Sequence, residues 1–255
     1  MRVVVVGASS GLGRCIAVGL ARRGERVAVL ARRYRMLEEV VGEAGPEALA
    51  VACDVTDETS CRGAIEEAAT KLGGIDGLVY ASGVGPLRRL VDTDMATWRQ
   101  ALETNVIGAS LATASAIGAL TDSRGVAVYL SSVSASVTPP WPGLGAYAVS
   151  KAALDKLIEA WRIEHPRVGF TRIVVGDCAG GQGDAMSQLP SAWDVDLASE
   201  LFPVWSTRNY LSGSVMDVDN LVNVVDTVLR CGADATVSSV SVVPRSAEGA
   251  QEGGA

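Results

Sequence analysis

The chain has 255 residues, of which 48% are hydrophobic and 20% charged, so it contains enough apolar material for a large core. With 22 Lys and Arg against 29 Asp and Glu, the net charge is −7 and the pI about 4.9, which argues against nucleic acid or an anionic membrane as a partner. One histidine, and five cysteines without a CxxC pair, exclude multi-histidine metal sites, zinc ribbons and a disulfide framework.

Apolar runs bounded by turn residues alternate with segments of helical period up to about residue 243. The alternation predicts an α/β fold with a doubly wound parallel sheet, in a single domain over residues 1–245. Strands are predicted at residues 2–6, 26–31, 48–52, 77–80, 126–130, 170–175 and 237–243. Helices are predicted at residues 11–23, 34–44, 57–72, 95–121, 146–164 and 217–230. The tail, residues 246–255, is expected to be disordered.

The N-terminal segment MRVVVVGASSGLG has only a short apolar run before a glycine-rich turn. We therefore expect no signal peptide. The odd number of cysteines, without a disulfide pattern, is typical of a reducing compartment, so a cytoplasmic location is expected.

The first strand is followed directly by the motif GASSGLG, residues 7–13, which opens a helix. Glycines here permit a tight turn and a close approach of backbone N–H groups to a phosphate at the helix N-terminus. The context predicts a dinucleotide site of the Rossmann fold. Its predicted phosphate-side residues are Gly7, Ser9, Ser10, Gly11, Leu12 and Gly13. The motif also fits a hydrolase nucleophile turn, but His165 precedes a proline at a helix end and cannot complete a triad.

The second strand ends in Leu30-Ala31-Arg32-Arg33. NAD sites usually have Asp or Glu near this place to bind the ribose 2′-hydroxyl, whereas a guanidinium binds a 2′-phosphate through paired hydrogen bonds. Because arginines stand here, we expect Arg32 and Arg33 to favour NADP(H) over NAD(H).

Two stretches, residues 104–121 and 125–150, carry no charge. The first is rich in Ala, Ser, Thr and Gly, and the second contains three prolines, so neither resembles a lipid-facing helix. We expect buried elements or a subunit interface there and no membrane span.

Tyr147 and Lys151 are one helical turn apart and therefore share a helix face. A cation beside a phenol favours the phenolate, which would lower the pKa of Tyr147 towards the range useful for proton transfer to an alcohol oxygen. The pair opens a helix soon after a strand that ends in Ser131-Ser132, and Asn105 begins an NVIG stretch in the preceding helix.

On these residues the chain resembles the short-chain dehydrogenase/reductase family, in its single-domain branch, over residues 1 to about 243. GASSGLG resembles the glycine motif of the family, and Asp54-Val55 its adenine-contacting pair. The positions that match the family's four catalytic residues are Asn105, Ser132, Tyr147 and Lys151.

The resemblance implies an NADP(H)-dependent oxidoreductase that interconverts a ketone and a secondary alcohol by hydride transfer. Tyr147 would be the general acid in reduction and the base in oxidation. Lys151 would lower its pKa and hold the nicotinamide ribose, and Ser132 would hydrogen-bond the substrate oxygen. Asn105 would hold a water of the proton relay. The alternative function is a catalytically silent NADP(H)-binding redox sensor or scaffold.

The chain departs from the family at two cofactor positions. Tyr80-Ala81-Ser82-Gly83 stands where Asn-Asn-Ala-Gly is usual, so two bracing amides are lost, although Ala81 and Gly83 are still expected to contact the cofactor. Val175-Gly176 replaces the usual Pro-Gly, and Gly180 stands where a threonine contact to the nicotinamide amide is expected.

The catalytic serine has two candidates. The usual spacing of thirteen residues before the tyrosine fits Ser134, whereas the strand-end SSV pattern fits Ser132. We assign Ser132, which requires two extra residues in the proline-rich loop before Tyr147, and keep Ser134 as the alternative.

The substrate site is expected in residues 181–216, the least regular part of the chain, as a lid. Its large apolar residues, together with Trp141, favour an apolar carbonyl or alcohol as the small-molecule substrate, but they equally fit a lid that packs on the sheet. The large apolar residues of this segment are Met186, Leu189, Trp193, Leu201, Phe202, Trp205 and Tyr210. In the family, the helix over residues 104–121 and the one starting near Tyr147 pair across a two-fold axis, so a homodimer or homotetramer is expected.

Overall fold

The computed structural model describes residues 1–181 and 193–245. Its strands are β1 (Arg2–Val6), β2 (Arg26–Ala31), β3 (Leu49–Ala52), β4 (Gly77–Tyr80), β5 (Val126–Ser132), β6 (Gly169–Val175) and β7 (Ser239–Val242). They form one sheet in the order β3-β2-β1-β4-β5-β6-β7, and every neighbouring pair is parallel. The predicted α/β fold with a doubly wound parallel sheet is confirmed.

Helices cover both faces of this sheet. They are α1 (Gly11–Arg22), α2 (Tyr34–Ala44), α3 (Glu58–Leu72), α4 (Met95–Leu102), α5 (Gly108–Ser123), α6 (Val133–Ser136), α7 (Gly145–Glu164), α8 (Val195–Thr207) and α9 (Val218–Cys231). One core layer lies under α1, α2 and α9, and the other under α3, α5 and α7. Val4 and Val6 of β1 enter one layer and Val3 and Val5 the other, which explains the unbroken apolar run.

The site lies where the connections of the sheet change direction. The chain leaves β1 into α1 on one face of the sheet and leaves β4 towards α5 on the other. The carboxyl ends of these neighbouring strands therefore border a crevice, which is where open α/β sheets bind ligands.

Two differences from the sequence-based expectation affect the site. β5 runs two residues further than predicted and ends at Ser132. The region expected to be irregular contains α8, which Asp194 caps by accepting a hydrogen bond from the Leu197 N–H. Pro203 inside the helix conceals its period from sequence reasoning. Residues 182–192, with Met186 and Leu189, and the tail 246–255 lie outside the described residues.

A π turn, Glu103–Ile107, joins α4 and α5 into one long helix, Met95–Ser123. This helix is long and apolar enough to cross a membrane, but 39% of its most apolar window is buried inside the protein. Ala109, Ala112 and Ala116 pack against the sheet. The helix therefore has one face in the core and an outward face that carries no charge between residues 104 and 121.

Candidate active site

A cleft of about 1230 Å³ opens at the carboxyl ends of β1, β2, β4 and β5. The glycine-rich turn after β1 lies at one side of it, and Tyr147 and Lys151 of α7 at the other. Every predicted cofactor and catalytic residue lines this cleft except Asn105, which is fully buried beside it. The fold thus brings together residues that are far apart in sequence.

The turn after β1 requires its glycines. Gly7 has φ +87°, and a Cβ placed on it would lie 2.4 Å from the backbone nitrogen of Ser82. A Cβ on Gly13 would lie 2.3 Å from the Gly7 carbonyl oxygen. The N-cap residue Ser10 makes no side-chain cap, so the first-turn N–H groups of α1 remain available to a ligand in the cleft.

Arg33, at the start of α2, reaches back to the same turn. Its Nη2 donates to the Ser9 hydroxyl at 2.9 Å and to the Ser10 hydroxyl at 2.6 Å. Burial, and the neighbouring charge of Arg32, lower the pKa of Arg33. The cleft therefore has a cationic end beside the glycine turn, and a bound anion would relieve the repulsion between the two guanidinium groups.

Asp54, which follows β3, has its carboxylate engaged locally. Oδ1 accepts from the Thr56 N–H at 3.0 Å and from the Thr56 hydroxyl at 2.7 Å. Burial opposes ionisation of Asp54, but these hydrogen bonds and the charge of Arg32 lower its pKa overall. Asp54 and Val55 are thus held rigidly at the edge of the cleft.

Tyr147 and Lys151 lie on one face of α7, with the Lys151 ammonium 5.9 Å from the centre of the Tyr147 ring. The ammonium donates to the Leu130 carbonyl at 2.7 Å. Burial lowers the pKa of Lys151 to about 8, against the opposing charge of Asp155 one turn further along. The helix therefore holds a cation in the cleft that loses its proton readily.

Burial also raises the pKa of Tyr147, and the Ser132 hydroxyl opposes that effect. This direction is opposite to the lowering expected from the YxxxK spacing. The reason is that removing the phenolate from water outweighs the attraction of a cation whose hydrogen bond is directed at Leu130. In the cofactor-free protein Tyr147 keeps its proton.

The two candidate serines lie together. The hydroxyls of Ser132 and Ser134 are 3.0 Å apart, and the Ser134 N–H donates to Ser132 Oγ at 3.3 Å. Both side chains are buried at the cleft, but Ser132 is the one that acts on the Tyr147 phenol. The geometry favours Ser132 as the partner of Tyr147, because the extension of β5 carries it to the strand end.

Asn105 lies in the π turn and makes three hydrogen bonds. Its Oδ1 accepts from the Val84 N–H at 2.8 Å, and its Nδ2 donates to the Val84 carbonyl at 2.9 Å and to Ser150 Oγ at 2.8 Å. A Cβ on Gly83 would lie 3.5 Å from both Asn105 Oδ1 and Lys151 Nζ. Asn105 therefore ties the loop after β4 to α7 next to Tyr147 and Lys151.

The sequence profile of the short chain dehydrogenase family matches residues 1–186. The chain belongs to this family. A relative, 11-beta-hydroxysteroid dehydrogenase A of Sesamum indicum, is 34% identical over 180 residues. That alignment covers 68% of this chain and 51% of the relative, so the chain spans about half the relative's length.

Solved structures of the family share the fold. An alcohol dehydrogenase from Thermococcus sibiricus, complexed with 5-hydroxy-NADP, has a TM-score of 0.78 at 22% identity and covers 94% of each chain. A 3-ketoacyl-(acyl-carrier-protein) reductase from Brucella melitensis, complexed with NADH, has a TM-score of 0.78 at 22% identity, over 94% of this chain and 96% of the other. At this identity they support the common fold alone.

As in other short-chain dehydrogenases, the cleft fits a nicotinamide dinucleotide. The glycine turn lets neighbouring backbone segments pack closely where a Cβ would clash, and the first turn of α1 with Arg33 offers N–H donors and positive charge to phosphates. The missing threonine has a steric reason, since a Cβ on Gly180 would lie 2.8 Å from the Leu12 backbone nitrogen. The segment after β6 lies too close to α1 for a side chain there.

Aromatic side chains form the far wall of the cleft. Trp141 lies 5.6 Å from Trp205 and 6.0 Å from Tyr210 between ring centres, and Trp193 meets Trp205 edge-on at 5.9 Å. Their indole N–H groups donate to the Gly85 and Pro142 carbonyls and to the Thr138 hydroxyl. The rings are therefore fixed, and all three tryptophans line the cleft, although Trp205 is almost fully buried in a cluster with Leu87, Leu144 and Leu201.

Sequence reasoning missed two residues that organise the site. Ser150 is fully buried, accepts from Asn105 and donates to the Tyr147 carbonyl at 2.7 Å. Asp177 accepts from the Ser212 N–H at 2.9 Å and from the Ser212 hydroxyl at 2.8 Å, which fastens the segment after β6 to the segment after α8. A polar residue inside the YxxxK motif was a visible signal for Ser150, whereas no pattern marks Asp177.

The burial of Lys151 predicts a stability that depends on pH. The pKa of about 8 lies below the ordinary 10.5, so the cost of burying the ammonium is complete below pH 8 and disappears as the pH rises towards 10.5. Lys151→Met removes this cost, which is about 3 kcal/mol at neutral pH. Urea unfolding of the cofactor-free protein should show the variant gaining most, relative to wild type, at pH 7 and losing that relative gain by pH 10.5.

The matched control is Lys156→Met, because Lys156 is an exposed lysine on the same helix. Its stability relative to wild type should stay nearly constant over this pH range. A Lys151→Met difference that is equally constant would show that burial does not perturb this ammonium.

Proposed function

We propose that this short-chain dehydrogenase interconverts a ketone and a secondary alcohol and prefers NADP(H). The observation that carries the proposal is the convergence of Tyr147, Lys151 and Ser132 at one end of a cleft whose other end holds the glycine turn and Arg33. Asn105 adjoins the same end. A proton donor, a cation and a dinucleotide cradle in one cleft are the parts that hydride transfer to a carbonyl requires.

Each side chain has a distinct part in the chemistry. A bound nicotinamide cofactor supplies the hydride in reduction and accepts it in oxidation. Tyr147, whose raised pKa keeps its proton, donates it to the substrate oxygen as charge develops there. Ser132 donates a hydrogen bond to the same oxygen, Lys151 holds the ribose hydroxyls, and Asn105 holds a water of the relay through its main chain.

The preference for NADP(H) is supported by the groups around the end of β2. Ala31 places no carboxylate there, and Arg32 and Arg33 present two cations at the cleft. The hydroxyls of Ser9 and Ser10 hold Arg33 over the glycine turn, where it can bind a 2′-phosphate with paired hydrogen bonds.

NADPH should bind about 10-fold or more tightly than NADH, which corresponds to about 1.4 kcal/mol. The double variant Ala31→Asp, Arg32→Ala should erase or reverse the difference, because a carboxylate binds the ribose 2′-hydroxyl and repels a phosphate. Fluorescence titration with NADPH and with NADH measures the two affinities in the wild-type protein and in the variant. Equal affinities in the wild-type protein would refute the assignment.

The aromatic wall supports an apolar substrate. Trp141 and Trp193 offer rigid ring faces close to Tyr147, and Leu87 and Leu144 add aliphatic surface. A polycyclic alcohol or ketone of the kind named by the hydroxysteroid relative would fit such a wall, because flat apolar rings stack without loss of polar contacts. NADPH oxidation over a panel of ketones, hydroxysteroid analogues included, identifies the class.

Tyr147→Phe should reduce turnover of a substrate found in that panel by about 10² to 10⁴-fold, because the variant lacks the general acid. NADPH affinity, measured by fluorescence, should remain nearly unchanged. Ser132→Ala and Ser134→Ala form a matched pair of adjacent hydroxyl deletions, and only Ser132→Ala should show a large fall in turnover. Full activity of Tyr147→Phe on that substrate would refute the role of Tyr147 as the general acid.

We also propose a homodimer or homotetramer built on α5 and α7. The outward faces of these helices carry exposed apolar or small residues, including Ala114 of α5 and Val149 of α7, and Ile107 of the π turn before α5 is also exposed. Closed symmetry is the usual way in which soluble proteins cover such a face.

Light scattering should give at least a dimer at micromolar concentration. Ala114→Glu should produce monomers, because it places a charge on the proposed interface. Gly42→Glu, at an exposed position of α2 with open space around it, should leave the assembly intact. A monomeric wild-type protein would contradict the assignment.

A further inference from the structure

Tyr80 ends β4 and stands at the first position of the segment where the family has paired asparagines. Its side chain is only 1% exposed, and its hydroxyl donates to the Thr104 carbonyl at 2.5 Å. Burial raises the pKa of Tyr80 well above its usual value, so the phenol keeps the proton that this bond uses. The bond joins the end of a central strand to the turn that carries Asn105.

The acceptor lies in the π turn. A π turn contains one residue more than an α turn, and its carbonyls are displaced from the regular pattern of helix hydrogen bonds. Such a turn persists where surrounding contacts support it. Gly108 allows the tyrosine hydroxyl to come this close, since a Cβ on Gly108 would lie 2.7 Å from it.

The residue after Thr104 is Asn105, whose three side-chain hydrogen bonds are all directed at fixed partners, Val84 and Ser150. These partners belong to the loop after β4 and to α7. A small rotation of the π turn would break bonds on both sides, because the amide has no freedom to follow one partner without leaving the other.

We propose that Tyr80 is a positioning residue for Asn105. Its hydroxyl holds the π turn in the form in which the Asn105 amide bridges the loop after β4 and the helix of Tyr147 and Lys151. It thereby replaces the bracing that the family obtains from its asparagine pair. The inference rests on the proposed function for its effect on turnover, but not for its effect on the π turn.

The chain supplies a matched control one strand away. Tyr129 of β5 is the register partner of Tyr80, is equally buried, and its hydroxyl lies 2.6 Å from the Thr113 hydroxyl on α5. Tyr129→Phe therefore removes the same chemical group from the same core layer. It breaks a bond to the same long helix, but away from the π turn. The two variants differ in which part of the helix loses its bond.

Kinetics of the full chain with NADPH and a ketone substrate test the proposal. Tyr80→Phe should lower kcat about 10-fold or more and leave the KM for NADPH within about twofold, because misplacement of Asn105 affects the reaction more than cofactor binding. Tyr129→Phe should keep kcat within about twofold while losing a similar amount of thermal stability. Equal kcat values for the two variants would overturn the proposal.

A double-variant cycle identifies the route of the effect. If Tyr80 acts through Asn105, Tyr80→Phe should cost little further activity in an Asn105→Ala background. If the loss of activity in the double variant equals the product of the two single-variant losses, Tyr80 acts independently of Asn105 and the inference is refuted.

Hydrogen exchange gives a readout that needs no turnover. Peptides covering residues 103–108 should exchange faster in Tyr80→Phe than in wild type and in Tyr129→Phe. If the wild-type protein transfers no hydride to any tested carbonyl, the proposed function fails, and this exchange experiment still decides the inference. Unchanged exchange at the π turn would overturn it.

Discussion

Three backbone segments meet at the carboxyl end of β1 more closely than side chains would allow. Gly7 lies against Ser82 of the loop after β4, Gly13 lies against Gly7, and Gly180 lies against Leu12. This close approach sets the start of α1 beside the ends of β1 and β4. This approach fixes the position of the first-turn amides of α1 and the distance from the turn to α7. It also places Ser9 and Ser10 where Arg33 hydrogen-bonds to them.

At the other end of the cleft, burial determines the electrostatics. It raises the pKa of Tyr147 and lowers that of Lys151, so both groups are driven towards their neutral forms. A tyrosine that keeps its proton is ready to act as an acid. The same low polarity makes each hydrogen bond and each charge–charge interaction in the cleft stronger than it would be in water.

Polar side chains connect these two ends through the core. Asn105 joins Val84 to Ser150, and Tyr80 joins the end of β4 to the π turn. In a family whose members usually have amides after the fourth strand, this chain obtains its bracing from a phenol on the strand. The loss of a motif at one position is thus compensated by a contact that forms only when strand and helix pack.

The sequence alone determined the parallel sheet, the glycine turn and the face shared by Tyr147 and Lys151. These features follow from short-range patterns: apolar runs, glycines directly after a strand, and a four-residue spacing on a helix. Only the tertiary structure decided the direction of the Tyr147 pKa, the docking of Arg33 on Ser9 and the partner of Tyr80. Burial and hydrogen-bond geometry decide these, and both depend on segments that meet only after the sheet has closed.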